Sequence, residues 1–354
     1  MTVSESNIEA DLQAQVLQSV SNASPLKIVG GDSKAFFGKT VEADVLSVAE
    51  HRGIIDYDPA ELVITLRAGC RLEEVEALLA ENNQMLGFEP PQLSSAATIG
   101  GLVATGLCGP RRAYSGAIRD FILGLKILNG RGEIVSFGGR VIKNVAGFDV
   151  SRLMVGALGT LGVILEVSLR VIPTFEKELT LGFEHTSAQA FIDWINELAS
   201  KPLPLSASCW YRGKSYLRLS GSEQGVDSAA LKLGGDVESP PWVDLREQEH
   251  EFFTDQPTLY RISVPSNCED YLTDQNQLIE WGGAQRWINQ ELNLEKLREH
   301  TESRQGAVCH YRGCSSDVEM FHPLNDAMQT LHKSLKSSFD PARILNPGRF
   351  YASL

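Results

Sequence analysis

Residues 97–116, ATIGGLVATGLCGPRRAYSG, hold five glycines and one proline among twenty residues. The stretch is too apolar for a linker. It is too rich in glycine for an ordinary helix, where each glycine costs about 1 kcal/mol against alanine. Such a segment is expected where the backbone must come close to something that a side chain would obstruct. Two further glycine groups lie within the first 173 residues, Gly30-Gly31 and GALGTLG with Gly156, Gly159 and Gly162. Each sits at the edge of a β-rich run.

Spacing rules out the commonest phosphate loops. Gly101 to Gly106 has the P-loop interval, but Leu107 and Cys108 follow where Lys and Ser or Thr would reach phosphate and magnesium. ATP or GTP hydrolysis is not expected. GALGTLG has the wrong interval for a dinucleotide fingerprint, and no helix pattern follows it.

The chain has 354 residues, too many for one compact core. Ile8, Leu12, Val16 and Val20 make one helical stripe, and Leu72, Val75, Leu78 and Leu79 another. GIIDYDPAELVITLRAG and FILGLKILNGRGEIVSFGG read as hairpins, and LGVILEVSLRVIP as a strand closed by Pro173. A second unit starts near Phe175 and alternates strands with helices, as an antiparallel sheet backed by helices would. Inside it, DVESPPWVDLREQEHEFF reads as a charged surface excursion, with Trp242 as a partner contact. A helix and a proline-bounded turn end the chain. The class is α+β, divided at 1–173, 174–320 and 321–354.

Net charge is −13, which repels nucleic acid and anionic lipid at long range. A phosphorylated cofactor would then depend heavily on backbone N–H groups. No run of about 18 apolar residues occurs to span a membrane. MTVSESNIEADLQAQ lacks the pattern of a signal peptide. The expected location is the cytoplasm, at the inner membrane only through partner subunits. The six cysteines form no C-x-x-C pair. CHYRGC gathers only Cys309, His310 and Cys314, and no metal is expected there.

In combination and order, these segments resemble the FAD-binding domain of the vanillyl-alcohol oxidase / p-cresol methylhydroxylase (PCMH-type) flavoproteins. The carriers are IVGGDSKAFFG, the PP…ATIGG stretch, YSGAIRD, ILNGRGEIVSFGG, KNVAGFDVSRLMVGALGTLGVI and the tail FDPARILNPGRF. LIEWGGAQRW and the short cap are similar to the FAD-binding, E-type subunits of bacterial glycolate oxidase. The resemblance implies a two-lobed FAD domain over 1–173, a smaller α+β cap over 174–320 and a return segment over 321–354.

The same resemblance implies the site. Gly30, Gly31, Asp32, Ser33 and Lys34 would form one lip around the FAD pyrophosphate, whose charge-assisted hydrogen bonds are worth about 1.5–3 kcal/mol each. Pro91, Thr98, Ile99, Gly100, Gly101, Ala104 and Thr105 would form the other. Tyr114, Ser115 and Gly116 would line the flavin side, Gly159, Gly162, Val163 and Ile164 the adenine or ribose, and Asn346 would come from the tail. Arg111 and Arg112 would hold the cofactor or a partner. Some relatives attach FAD through a His in the first loop or a Cys before the second. Asp32 occupies the first position and QLSSAA offers no thiol, so FAD is expected to be non-covalent.

Oxidation of a small 2-hydroxy acid needs a base, a cation for the carboxylate and a shaped pocket. The cap lacks the E-H-G motif of the D-type sister subunits. His310 and His322 are the weak candidates for the base, with Arg286 and Arg312 for the carboxylate. Three readings stay open. The chain could relay electrons between a sister flavin subunit and an iron–sulfur subunit of a glycolate dehydrogenase. It could itself oxidise a 2-hydroxy acid. It could be a flavin-free scaffold.

Overall fold

The computed structural model describes residues 5–139, 149–273, 275–315 and 318–354. The KNVAGF part of the motif quoted above lies outside them. Helix Glu5–Asn22 buries Leu12 and Val16 against Leu46, Leu128, Val163 and Leu345, as its four-residue stripe requires. Both expected hairpins are present, Ile54–Asp58 with Val63–Arg67 and Ile122–Leu128 with Ile134–Gly138. They flank strand Val163–Arg170 in a five-stranded antiparallel sheet. A separate parallel pair, Leu26–Val29 with Asp44–Ser47, gains a third partner when Leu345 of the tail bridges to Leu26.

The cap is an eight-stranded sheet. Its order is Asp236–Val237, Lys177–Glu184, Lys214–Gly221, Leu205–Tyr211, Gln277–Glu280, Gln285–Ile288, Leu259–Ser263, Ala307–Arg312, with every neighbour antiparallel. Residues directly opposite each other share a face, and successive residues alternate. Ile279 opposite Arg286, and Tyr260 opposite Ile288, therefore face the back. There Ile279 packs with helix Ala188–Ala199, and Tyr260 with Leu297 of helix Leu294–Glu302. Leu278 opposite Trp287, and Arg261 opposite Cys309, face the front. The front packs against Phe37, Leu107 and Leu158 of the cofactor lobe.

Two expectations are corrected. Gly100 and Gly101 lie in the first turn of helix Ile99–Thr105, capped by Thr98, whose Oγ1 accepts the Gly101 N–H at 3.2 Å. Glycine in a first turn interrupts no intrahelical donor, and burial of Ile99, Leu102 and Val103 offsets its propensity cost. The presumed surface excursion keeps Val237 and Pro240 at the surface but packs at Trp242, Leu245, Phe252 and Phe253. Trp242 and Leu245 are buried one helical turn apart in Trp242–Glu247, and the Trp242 indole N–H donates to Thr180 Oγ1 at 2.9 Å. Trp242 is therefore no partner contact. Glu247 accepts the N–H groups of Gln92 and Leu93, tying this helix to the cofactor lobe.

The tail helix Asp326–Phe339 is anchored by Lys336, 1% exposed. Its Nζ donates to Thr160 O (2.8 Å), Leu345 O (2.7 Å) and Asp340 Oδ2 (2.8 Å). Asp340 also accepts the N–H groups of Ile344 and Leu345. Truncating one partner of such a buried pair leaves the other charge uncompensated. Lys336→Met is expected to destabilise the chain by about 3–5 kcal/mol, read as a lowered urea midpoint.

Candidate cofactor cleft and seam chamber

Strand Leu26–Val29 runs out into residues 30–34, where Asp32 takes a left-handed φ of 54°. The loop abuts the segment before helix Ile99–Thr105 so closely that a Cβ on Gly31 would overlap the carbonyl oxygen of Ala96. The glycine thus makes room for protein backbone, bringing the two lips together. The Gly100 N–H is likewise committed, to Ala68 O at 2.7 Å. Gly159, with φ 72°, sits where a Cβ would come within 2.7 Å of Asn346 Nδ2. Asn346 accepts the Ile28 N–H at 2.8 Å and donates to Leu158 O at 2.7 Å.

These contacts leave a cleft of about 670 Å³, mouth included. It brings together Gly30, Gly31, Asp32, Ser33, Lys34, Thr98, Gly100, Gly101, Ala104, Thr105, Gly159, Gly162, Ile164 and Asn346. Other predicted residues lie outside its lining. Ile99 and Val163 are core residues at 0% exposure. Tyr114 donates from its hydroxyl to Ser208 on the cap sheet at 3.2 Å, and its helix Arg112–Ser115, capped by Gly116, packs on that sheet. Pro91 lines a second chamber described below.

Arg349, unanticipated, joins the cleft lining from the NPGRF end of the tail. Burial holds its guanidinium below the usual range, with Asp32 opposing. Burial also brings Lys34 down to about 8, with Glu247 opposing, while its Nζ donates to Gln92 O at 3.0 Å. Asp32 thus shares the cleft with two cations. Among the described residues no protein acceptor engages the backbone N–H groups of 31–34. A loop with those N–H groups and two buried cations suits a dinucleotide diphosphate.

A second, narrow chamber, with about 20 Å³ of enclosed space, lies at the seam where the chain leaves helix Ile99–Thr105. Leu107, Cys108, Gly109 and Pro110 form one wall. Arg261, Glu280, Gln285, Trp287 and Tyr311, from the front of the cap sheet, form the other, joined by Leu245, Arg246 and Gln248. The predicted catalytic residues are not among these. Arg286 faces the back, fully buried, and donates to the carbonyls of Gly283, Glu269 and Cys268. His310 stacks on Tyr260 at 4.6 Å on that same back face. His322 Nδ1 accepts the Val308 N–H at 3.3 Å. Arg312 is spent on Phe253 O and Gln248 Oε1. Arg111, 1% exposed, pairs with Glu89 and Glu178, and Arg112 lies over the Trp281 ring. Period-two alternation could have found the front-face set, because Gln285 and Trp287 flank Arg286.

Residues 6–138 match the FAD binding domain family. A solved structure of alkyldihydroxyacetonephosphate synthase covers 96% of this chain and 75% of its own, with a TM-score of 0.66 at 16% identity, a likeness of fold. The chain is 26% identical over 211 residues to D-lactate dehydrogenase of Archaeoglobus fulgidus, spanning 60% of this chain and 43% of that protein. It is 43% identical over 344 residues to glycolate oxidase subunit GlcE of Escherichia coli K12, spanning 97% of each. The protein is a PCMH-type flavoprotein whose cofactor is FAD. Within that class, it belongs to the family of glycolate oxidase subunit GlcE.

Burial pushes the Glu280 carboxyl up to about 7, against hydrogen bonds from Trp287 and Gln285 and with Glu89 adding to the rise. Its folded value exceeds the unfolded one near 4.5, so its contribution to stability is full below 4.5 and lost as pH rises to about 7. Glu280→Gln is expected to match the parent at pH 4 and to exceed it by about 2–3 kcal/mol at pH 8, measured by urea unfolding at both pH values.

Proposed function

We propose that this chain is the non-covalent FAD-carrying subunit of a multi-subunit glycolate oxidase, working with a sister flavin subunit and an iron–sulfur subunit. The observation that carries the reading is the cleft in which three distant glycine segments and the tail meet around buried Lys34 and Arg349. In it, the loop at 30–34 binds the diphosphate through N–H groups and Lys34, with Arg349 adding charge. Gly159, Gly162 and Ile164 border the rest of the dinucleotide, and Asn346 holds the cleft's segments in place. Bound FAD supplies acceptance of a hydride or of electrons. The absence of His or Cys at the loop positions that carry covalent flavin in some relatives supports release of FAD on denaturation. The division follows residues 1–173, 174–320 and 321–354, although the last segment completes the first lobe. Among the described residues, no helix is long and apolar enough to cross a membrane.

The purified chain is expected to be yellow, to release its FAD into the supernatant on denaturation and to co-purify with the two partner subunits. A colourless chain that elutes alone would refute the reading. Lys34 supplies a sharper test. The empty cleft loses the Lys34 proton near pH 8, and a bound diphosphate raises that value. FAD binding therefore takes up a proton above pH 8, and affinity is expected to fall there by up to about tenfold per pH unit. Lys34→Met is expected to bind more weakly at pH 7 and to lose this slope, followed by flavin fluorescence titration.

A further inference from the structure

Lys34 is 6% exposed, and its Nζ donates to Gln92 O at 3.0 Å and to Ser33 Oγ at 3.3 Å. An ammonium carries three N–H donors. The third has no protein partner among the described residues, and Lys34 lines the cleft. At the other end of the same peptide group, the Leu93 N–H donates to Glu247 Oε2 at 2.8 Å. The single peptide between Gln92 and Leu93 thus joins a cation of the cofactor lobe to an anion of the cap. Its carbonyl meets the ammonium and its N–H meets the carboxylate. Both hydrogen bonds polarise the peptide in the same sense, so each strengthens the other.

Two features set this link apart from ordinary packing. Leu93 has φ 58°, a left-handed conformation that is costly for an L side chain. Glu247 is the last residue of helix Trp242–Glu247, where a carboxylate opposes the helix dipole. Its charge is held instead by the N–H groups of Gln92 and Leu93 and by Arg246 Nε at 2.7 Å. Trp242 and Leu245 root this helix in the cap. Glu89, four residues before Leu93, accepts from Arg218 of the cap sheet. The cap therefore grips segment 89–93 at both ends, and Lys34 grips it between them.

We propose that Glu247 is a positioning residue for the cofactor: from the cap it holds Lys34, through the peptide between Gln92 and Leu93, in place for the FAD diphosphate, so that cofactor loading and cap docking support each other. This rests on the FAD-carrying reading above and extends the cofactor site into the cap. Coupling of this kind is reciprocal. The other charges near the pair are Asp32 and Arg349, which line the cleft with Lys34, and Arg246, which pairs with both Glu247 and Glu76. The negative charge of Glu247 supports the Lys34 proton against burial. Glu247→Gln removes that charge and keeps an oxygen for the Leu93 N–H.

The test uses the full-length, FAD-loaded chain, diluted at pH values from 6 to 9.5, with released flavin followed by fluorescence to give Kd. Parent affinity is expected to start falling near pH 8. In Glu247→Gln the fall is expected to start about one pH unit lower. The variant then matches the parent within about twofold at pH 6 and binds about tenfold more weakly at pH 9. In a Lys34→Met background, Glu247→Gln is expected to leave the pH profile unchanged. A second readout needs no change at Glu247. FAD is expected to slow amide hydrogen exchange in helix Trp242–Glu247, which lies outside the cleft lining, and to lose that effect in FAD-saturated Lys34→Met. A chain that takes up no FAD sinks the function proposed above. A yellow chain in which Glu247→Gln weakens FAD equally at every pH or not at all, or in which exchange in the helix ignores FAD, overturns the Glu247 assignment alone.

Discussion

Asn346 accepts the Ile28 N–H on Oδ1, donates from Nδ2 to Leu158 O, and sends its own backbone N–H to Leu26 O at 3.0 Å. One residue near the end of the chain thereby satisfies three backbone groups from two segments that border the cleft. It is 2% exposed and has φ 41°, in a left-handed region that asparagine tolerates better than most residues. Each buried backbone group left unpaired would cost about 1–3 kcal/mol. The cleft is therefore complete only once the tail has returned across more than 300 residues of sequence, and Lys336 and Asp340 hold that return in place. The cofactor lobe is built from both ends of the chain.

The seam between lobes is held by charge as well as by apolar packing. Arg111 meets Glu89, Glu178 and Ser220, while Arg218 from the cap sheet meets Glu89. The Trp281 indole N–H donates to Gly109 O at 3.1 Å. A buried network of this kind adds little net stability, because desolvation offsets attraction, but breaking one member is costly. Its consequence is geometric. Glu89 belongs to the cofactor lobe and Arg218 to the cap, so the pair sets the spacing across which Leu107–Pro110 face Arg261 and Glu280.

Much of this was legible in the sequence because the signals were local. Both hairpins follow from β-rich runs broken at Asp58-Pro59 and at the NGRG turn, and the helix stripes follow from their spacing. The glycine groups marked the segments that converge on the cleft. Why they are glycine was not legible: Gly31 clears the carbonyl of Ala96, a residue 65 positions away. Helix Ile99–Thr105 was hidden because propensity counts two glycines against it, whereas tertiary burial decides. Trp242 was hidden by the charges around it, although Trp242 and Leu245 carry a one-turn stripe. Strand parity places two of the four catalytic candidates on the back of the cap sheet. Arg286 and His310 have the chemistry of a substrate site, but the pleat turns both away from the seam.

Charge at long range and charge at short range act in opposite directions here. A chain of net −13 repels the diphosphate that the cleft suits, so steering by the overall field works against capture. Binding must then be decided at contact, where Lys34 and Arg349 are withdrawn from water and poorly screened. Such cations stay charged only at a cost, and an arriving diphosphate removes that cost by supplying the missing partner. Helix Ile99–Thr105 opens at the cleft through Thr98 and Gly100 and leads directly into the chamber wall at Leu107. The two turns of this helix thus fix the Leu107 wall relative to the cleft.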